Sequence, residues 1–477
     1  MTSFIEAVKN QSDRTSNGMK AFKNTGNECT SLFFKIGAMR GKDVIPAFTA
    51  ARVENAEIAG RIALWARDIR GGAGERKLFR DILTDLIKSD TDRAIALMKK
   101  IPELGRWDDV LIFVGTDLEN NAFEMIRDAL EKGDGLCAKW MPRQGDVAVR
   151  LRNFLGWSPK RYRKTLVNLT KVVETQMCAN DWDNINFNHV PSVASSRYKK
   201  AFARHTEKYK EWAEKLVSTD PEVAKTVKVN AGAVYPYDVL KGVIGCHRNN
   251  YDKSQLNHIV AQWEALPNFV GDANILPLVD VSGSMTCPAG GYRSKSNVTC
   301  LDVAVSLGLY LADKNKGKFK DTFLTFSSNP QLLHLNGNIV DKIKQMETSK
   351  WEMNTNLHAA LDKILETAVI GKVPEEEMPD ALLILSDMQF DYCTQYDDSA
   401  MQMIARKYEQ AGYNVPNIVF WNLNAADNVP VKYDTRGAAL VSSFSPSIVK
   451  SVLSAELDNF TPEGIMMNTI MNERYNY

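Results

Sequence analysis

ILPLVDVSGSM, residues 275–285, runs apolar up to Asp280 and then sets Asp280, Ser282 and Ser284 at every second position. A short apolar run ending in polar residues reads as a buried strand whose carboxyl end opens outward. Similar runs follow in DTFLTFSS, ALLILSD and NVPNIVFWNLN, with helical stretches such as CLDVAVSLGLYLADKN, NLHAALDKILETAVI and AMQMIARKYEQAG between them. GAALVSSFSPSIVKSVLS adds a last strand and helix. This alternation predicts a parallel sheet covered by helices, an α/β doubly wound domain over residues 270–477. Such sheets bind ligands outside the carboxyl ends of their strands, where the polar residues stand here.

Period-two spacing past the strand end aims Asp280, Ser282 and Ser284 into that crevice. One carboxylate and two hydroxyls are hard oxygen donors, suited to Mg²⁺ or Mn²⁺ and poorly suited to zinc. Two further donors are offered by Thr355, just ahead of a helix in NTNLHAAL, and Asp387, at the end of LILSD. The set DxSxS…T…D resembles the metal-ion-dependent adhesion site of von Willebrand factor A domains, with all five residues in order. The resemblance implies a Rossmann-like A domain in which a divalent cation docks a protein partner through its acidic residue or phosphate. Ser284 or Thr355 taken singly reads equally well as a capping or turn residue. Two-metal phosphoryl chemistry collects several carboxylates, so two aspartates among hydroxyls point to binding, and no catalytic residue is assigned. The loop TCPAGGYRSKSNV, 286–298, reads either as a flap beside the metal or as a surface insertion.

The preceding part is different in kind. Over residues 1–265 the periodicity is helical, as in ENAEIAGRIALWARDI and ERKLFRDILTDLIKSD, and no strict repeat period appears. An irregular, HEAT-like array of helix pairs is expected. The net charge of +1 hides an asymmetry: residues 1–260 hold 42 Lys+Arg against 32 Asp+Glu, and the remaining 217 hold 17 against 26. Between 139 and 171 there are nine basic residues and one acid, Asp146. Lys139, Arg143, Arg150, Arg152, Lys160, Arg161, Arg163 and Lys164 in this stretch, with Arg197, Lys200 and Arg204 downstream, are candidate phosphate contacts. Interleaved Trp140, Trp157, Tyr162 and Tyr198 could stack on unpaired bases. Basic helices are also often only solvated faces.

RNFLGWSPKRYRKTLVNL is similar to the TROVE stretch of the Ro autoantigen family, whose members join a helical array to an A domain. TGNECTSLFFKIGAMRG, WARDIRGGAGERKLFRDIL, GRWDDV, AKWMPR, VPSVA and LSDMQFD resemble an uncharacterised Ro-like family of plants, fungi, bacteria and phages. These resemblances imply a helical ring that binds small or structured RNA. RDIRGGAGERK lacks the full phosphate-loop pattern and reads as a tight interhelical turn, with Arg70 and Arg76 near RNA backbone as an alternative. GRWDDV reads as a structural lock, an Arg–carboxylate pair beside a buried Trp.

Seven scattered cysteines with no C-x-x-C pair read as reduced thiols, and six dispersed histidines argue against a His-based metal centre. No apolar run has the length of a membrane span, so a cytoplasmic protein, bacterial or phage-encoded included, is expected. The expectation is therefore a non-enzymatic RNA-binding protein with a partner-docking metal site. The rival is an assembly factor, a chaperone adaptor or phage virion component, whose domains bind only proteins.

Overall fold

The apolar runs become the strands of one mixed sheet. The computed structural model describes residues 12–241, 243–244, 251–289, 298–326, 329–347, 356–392, 396–425 and 427–477. Two short strands, β1 (Ser12–Arg14) and β2 (Lys20–Phe22), pair antiparallel near the start. The main sheet contains β3 (Ile275–Asp280), β4 (Thr322–Phe326), β5 (Gln331–His334), β6 (Ala381–Ser386), β7 (Asn417–Asn422) and β8 (Ala438–Ser442). Its order is β5-β4-β3-β6-β7-β8, parallel throughout except for β5, an antiparallel edge strand that follows β4 as a hairpin. The chain winds outward from β3 to one side, then returns to β6 and winds to the other, so the topological switch lies between β3 and β6. Doubly wound α/β topology is as expected from the sequence.

Period-two geometry sorts these strands into two cores. Val279, Leu383, Leu385, Val419, Trp421 and Val441 face one side, and Leu278, Leu382, Ile384, Phe420 and Leu440 the other. Both faces are buried, which is why the strands read as continuous apolar runs rather than alternating ones. Helix Cys300–Lys314 covers the first face so closely that a Cβ on Gly308 would lie 2.4 Å from Val279 Cγ2. Helices Leu357–Gly371 and Ala400–Ala411 cover the second.

Helices occupy most of residues 28–264. Arg76–Ser89 buries Leu78, Phe79, Ile82, Leu83 and Leu86, the i, i+3, i+4 spacing of an amphipathic helix. It stops at Asp90, whose side chain accepts from Arg93 N–H and so opens the next helix, Thr91–Leu104. Asn55 does the same between Ile45–Glu54 and Ala56–Arg67. One residue that ends a helix and caps the next leaves no linker, so consecutive helices fold back in pairs. A smaller cluster around Phe187, Phe202, Tyr209 and Trp212 forms a second helical lobe.

The two regions interlock at both ends. β2 bridges to Ser399 and Val429, while Thr15 Oγ1 donates to Phe390 O at 2.7 Å. At the other end Arg474 and Tyr475 reach Asp68, at 2.5 and 3.2 Å. Gly37 meets the end of β8 so tightly that a Cβ there would lie 2.0 Å from Ser442 O.

Candidate metal centre and cationic cavity

Asp280 ends β3 and Asp387 follows β6, so the switch point holds two carboxylates side by side. Both are buried, at 0% and 3% exposure. Asp280 Oδ1 accepts from Ser282 N–H at 2.9 Å, and Oδ2 from Ser386 Oγ at 2.5 Å. Ser282 and Ser284 hydroxyls lie 3.0 Å apart, and the Ser284 side chain favours the charged form of Asp387. Burial, then the charge of Asp387, push the Asp280 carboxyl up to about 7. Burial also raises Asp387. Four of the five expected donors thus converge; Thr355 lies outside the described residues, just before the helix whose cap is Asn356.

The donor set fits a hard cation. Two buried carboxylates, one raised further by the charge of the other, are relieved by a positive ion between them, and the adjoining hydroxyls supply neutral oxygen. Among the described residues no group of three or more His, Cys, Asp or Glu gathers anywhere, so this centre rests on two carboxylates and their hydroxyl neighbours. Ser386 was not legible in advance, because its bond to Asp280 runs across the sheet. Met388, with φ +64°, holds a left-handed conformation just past Asp387 and donates its N–H to Ser386 Oγ at 3.0 Å. A bulky residue in that region signals a backbone over-determined by its surroundings.

The helical region encloses a cavity of about 910 Å³, at the upper end of ordinary ligand pockets. Arg40, Arg67, Arg76, Arg106, Lys139, Lys171 and Arg197 line it, against Glu174 and Asp238. Four of these cations are matched from behind the wall. Arg40 pairs with Glu75 at 2.7 Å, Arg67 with Asp109 at 2.7 Å, Arg76 with Asp108 and Asp109, and Arg106 with Asp108 at 2.8 Å. Arg80 joins the same lock, 2.6 Å from Asp109, so GRWDDV is the structural lock expected, with Trp107 buried beside it. Lys139 stands 3.8 Å from Glu174, while Lys171 and Arg197 are exposed. The Arg106 guanidinium lies 3.9 Å over the Trp140 ring, and Tyr198, Tyr235 and Tyr237 complete an aromatic lining.

Of the eleven basic candidates, only Lys139 and Arg197 face this cavity. Arg143 is a brace, donating to Ala138 O, Met141 O and Thr170 Oγ1. Arg150 pairs with Glu119 at 2.7 Å. Arg161 lies over Trp157 and Lys200 over Tyr251. Lys160, Arg163, Lys164 and Arg204 are exposed, and Arg152 half-buried. The sequence reading missed Arg40, Arg67 and Arg106 as cavity residues, because the wall gathers positions from 40 to 238. RDIRGGAGERK is the tight turn expected: a Cβ on Gly72 would lie 1.8 Å from Trp65 O. Ser195, His258 and Tyr209 form a chain of 2.9 and 2.7 Å hydrogen bonds, but it is sealed inside the second lobe. Burial drives His258 down to about 3 and keeps it neutral.

With this geometry in view, the chain superposes on the crystal structure of the Deinococcus radiodurans RO (RSR) protein with a TM-score of 0.50. The match covers 93% of this chain and 100% of that one, at 13% identity. The chain has a Ro-like fold. Two family models match its sequence, Domain of unknown function (DUF2828) over 144–273 and Domain of unknown function (DUF7788) over 274–474. Their junction falls where the Ro-like fold passes from helices to sheet. Uncharacterized protein L728 of Acanthamoeba polyphaga mimivirus is 28% identical over 515 residues, covering 96% of this chain and 86% of that protein.

Proposed function

We propose that this Ro-like chain is a non-enzymatic RNA-binding protein. Its cationic cavity takes unpaired RNA, and Asp280, Ser282, Ser284, Thr355 and Asp387 hold Mg²⁺ or Mn²⁺ to dock a protein partner. The observation that carries the reading is the cavity wall. Planar Arg106 on Trp140 offers a stacking platform, and Lys171 and Arg197 offer exposed charge beside Lys139, which stands 3.8 Å from Glu174. The Ro-like fold supports the RNA half of the proposal. The paired, pKa-raised aspartates support the metal half, since the cation would neutralise them while leaving a coordination position for an acidic group.

Filter binding of a single-stranded RNA across a salt series tests it. Binding that weakens linearly in log–log form with salt, and exceeds binding of heparin, is the expected result. Co-purification with a protein complex and no affinity for RNA would favour the assembly-factor reading instead.

A further inference from the structure

Two thiols beside the acidic centre play no part in the functions proposed above. Cys287 follows the turn Gly283–Thr286 that carries Ser284, and Cys300 opens the helix Cys300–Lys314. Their Sγ atoms share a hydrogen bond at 3.5 Å. The main chain builds this approach: Cys300 N–H donates to Cys287 O at 3.0 Å, Ala289 N–H donates to Val298 O at 2.7 Å, and Pro288 bridges Thr299 antiparallel. Neighbouring antiparallel positions lie within the Cα separation a disulfide requires. Cys300 is buried, whereas Cys287 is half-exposed and open to a small oxidant. Cys287 is therefore the thiol that an oxidant reaches first, and its thiolate is the reactive form.

We infer that Cys287 and Cys300 form a reversible dithiol–disulfide pair, a modification site for hydroperoxides next to the metal centre. The Cys287 thiolate attacks one oxygen of hydrogen peroxide, the O–O bond breaks, and the departing hydroxide takes a proton to become water. Cys287 is then a sulfenic acid. Cys300 gives up its proton and attacks that sulfur; the S–O bond breaks, and the leaving oxygen becomes a second water. Two thiols are oxidised by two electrons and one peroxide is reduced. A thiol reductant reverses the step by exchange. The bond ties the turn that bears Ser284 to the start of the helix behind it, so oxidation state reaches the metal centre through the backbone.

The test uses the full chain, exposed to hydrogen peroxide, alkylated, and digested with trypsin without reductant. Arg293 and Lys295 lie between the two cysteines, so trypsin separates them unless sulfur joins them. The expected result is a Cys287–Cys300 peptide pair, two hydrogens lighter than its parts, that disappears with dithiothreitol. Cys178, exposed and far along the chain, should stay alkylatable at the same dose. Cys300→Ser should stop Cys287 at the sulfenic acid, trapped by a dimedone probe. Over-oxidation of Cys287 in the parent chain with Cys300 still alkylatable would overturn the proposal, as would oxidation no faster than at Cys178. The parent-chain mapping decides the matter even if the Ser variant fails to fold.

Discussion

Asp280 meets two penalties on its charge that act together, burial at the sheet centre and a neighbouring negative charge. Its carboxyl is raised to about 7, so without a cation the folded state binds a proton more tightly than the unfolded chain does. The sign follows: this residue costs stability as pH rises from the usual carboxylate range to about 7. Asp280→Asn removes that cost. In EDTA the Asn variant should melt above its parent at pH values beyond about 7, and the gap should close as pH falls toward the usual carboxylate range. A gap that widens on acidification would refute the assignment. Cation binding has the opposite sign, because the proton competes with the metal. Calorimetric Mn²⁺ affinity should fall about tenfold per pH unit below about 7, and Asp280→Ala should abolish most of it. Asp109 is the contrasting case. Burial raises it, but the charge and hydrogen bonds of Arg67, with Arg76 and Arg80, outweigh that and hold it low. Asp109→Asn strips charge from a buried pair and should cost about 3–5 kcal/mol in chemical denaturation. An unchanged midpoint would show the lock to be ornamental. At this scale Asp280, Ser282, Ser284 and Asp387 were legible, because strand ends and period-two spacing are local patterns. Ser386 was not, because its partner stands 106 residues away.

Helix Pro159–Leu169 shows what an element reveals and conceals. Tyr162 and Leu166 are buried, so Tyr162 is a core residue and not the base-stacking ring expected, and Lys160, Arg161, Arg163 and Lys164 turn outward. Its cap, Ser158, and Pro159 at its first position are equally legible. Charge density alone made this helix the leading RNA contact, yet the cavity draws on other elements: the turn before Arg76, the helix ending at Trp140, the segment at Lys171 and the helix carrying Arg197. Which elements share a wall depends on long-range packing, and no window of sequence contains it. The edge strand β5 escaped for a related reason, since QLLH is short and half-exposed. Two triple variants separate the surfaces. Lys139, Lys171 and Arg197 changed together to Gln should lower the log–log salt slope of RNA binding by about 2, taking roughly 0.7 per single-strand phosphate contact. Lys160, Arg163 and Lys164 changed to Gln should leave the slope nearly intact. The reverse outcome would place RNA on the outer face and leave the cavity for another ligand.

Across the whole molecule, the helical and sheet regions are clasped by segments distant in sequence. Residues 12–22 lie along the sheet region, while residues 474–477 return to the first helices, where Tyr477 hydroxyl donates to Ala56 O at 3.3 Å. Gly60 leaves room for that hydroxyl, since a Cβ there would lie 2.0 Å from it. The clasp centres on Asp68, fully buried at the end of Ala56–Arg67, which accepts from Arg474 at 2.5 and 3.0 Å and from Tyr475 at 3.2 Å. Burial raises its carboxyl, but the Arg474 hydrogen bonds and charge, with backbone N–H donors, bring it below the usual range. A depressed carboxylate stabilises the fold above its unfolded pKa and loses that contribution as pH falls through the folded one. Asp68→Ala should therefore destabilise the chain by on the order of 2–3 kcal/mol at neutral pH, given charge-assisted hydrogen bonds to a half-buried Arg474. The difference from the parent should shrink on acidification below the usual carboxylate range. Denaturant unfolding followed at neutral and acidic pH measures both. If the clasp joins the two regions into one cooperative unit, the variant should also split a single transition into two. One transition with an unshifted midpoint would mean that the shared core around Trp65, Trp421 and Phe444 holds the regions together without the clasp.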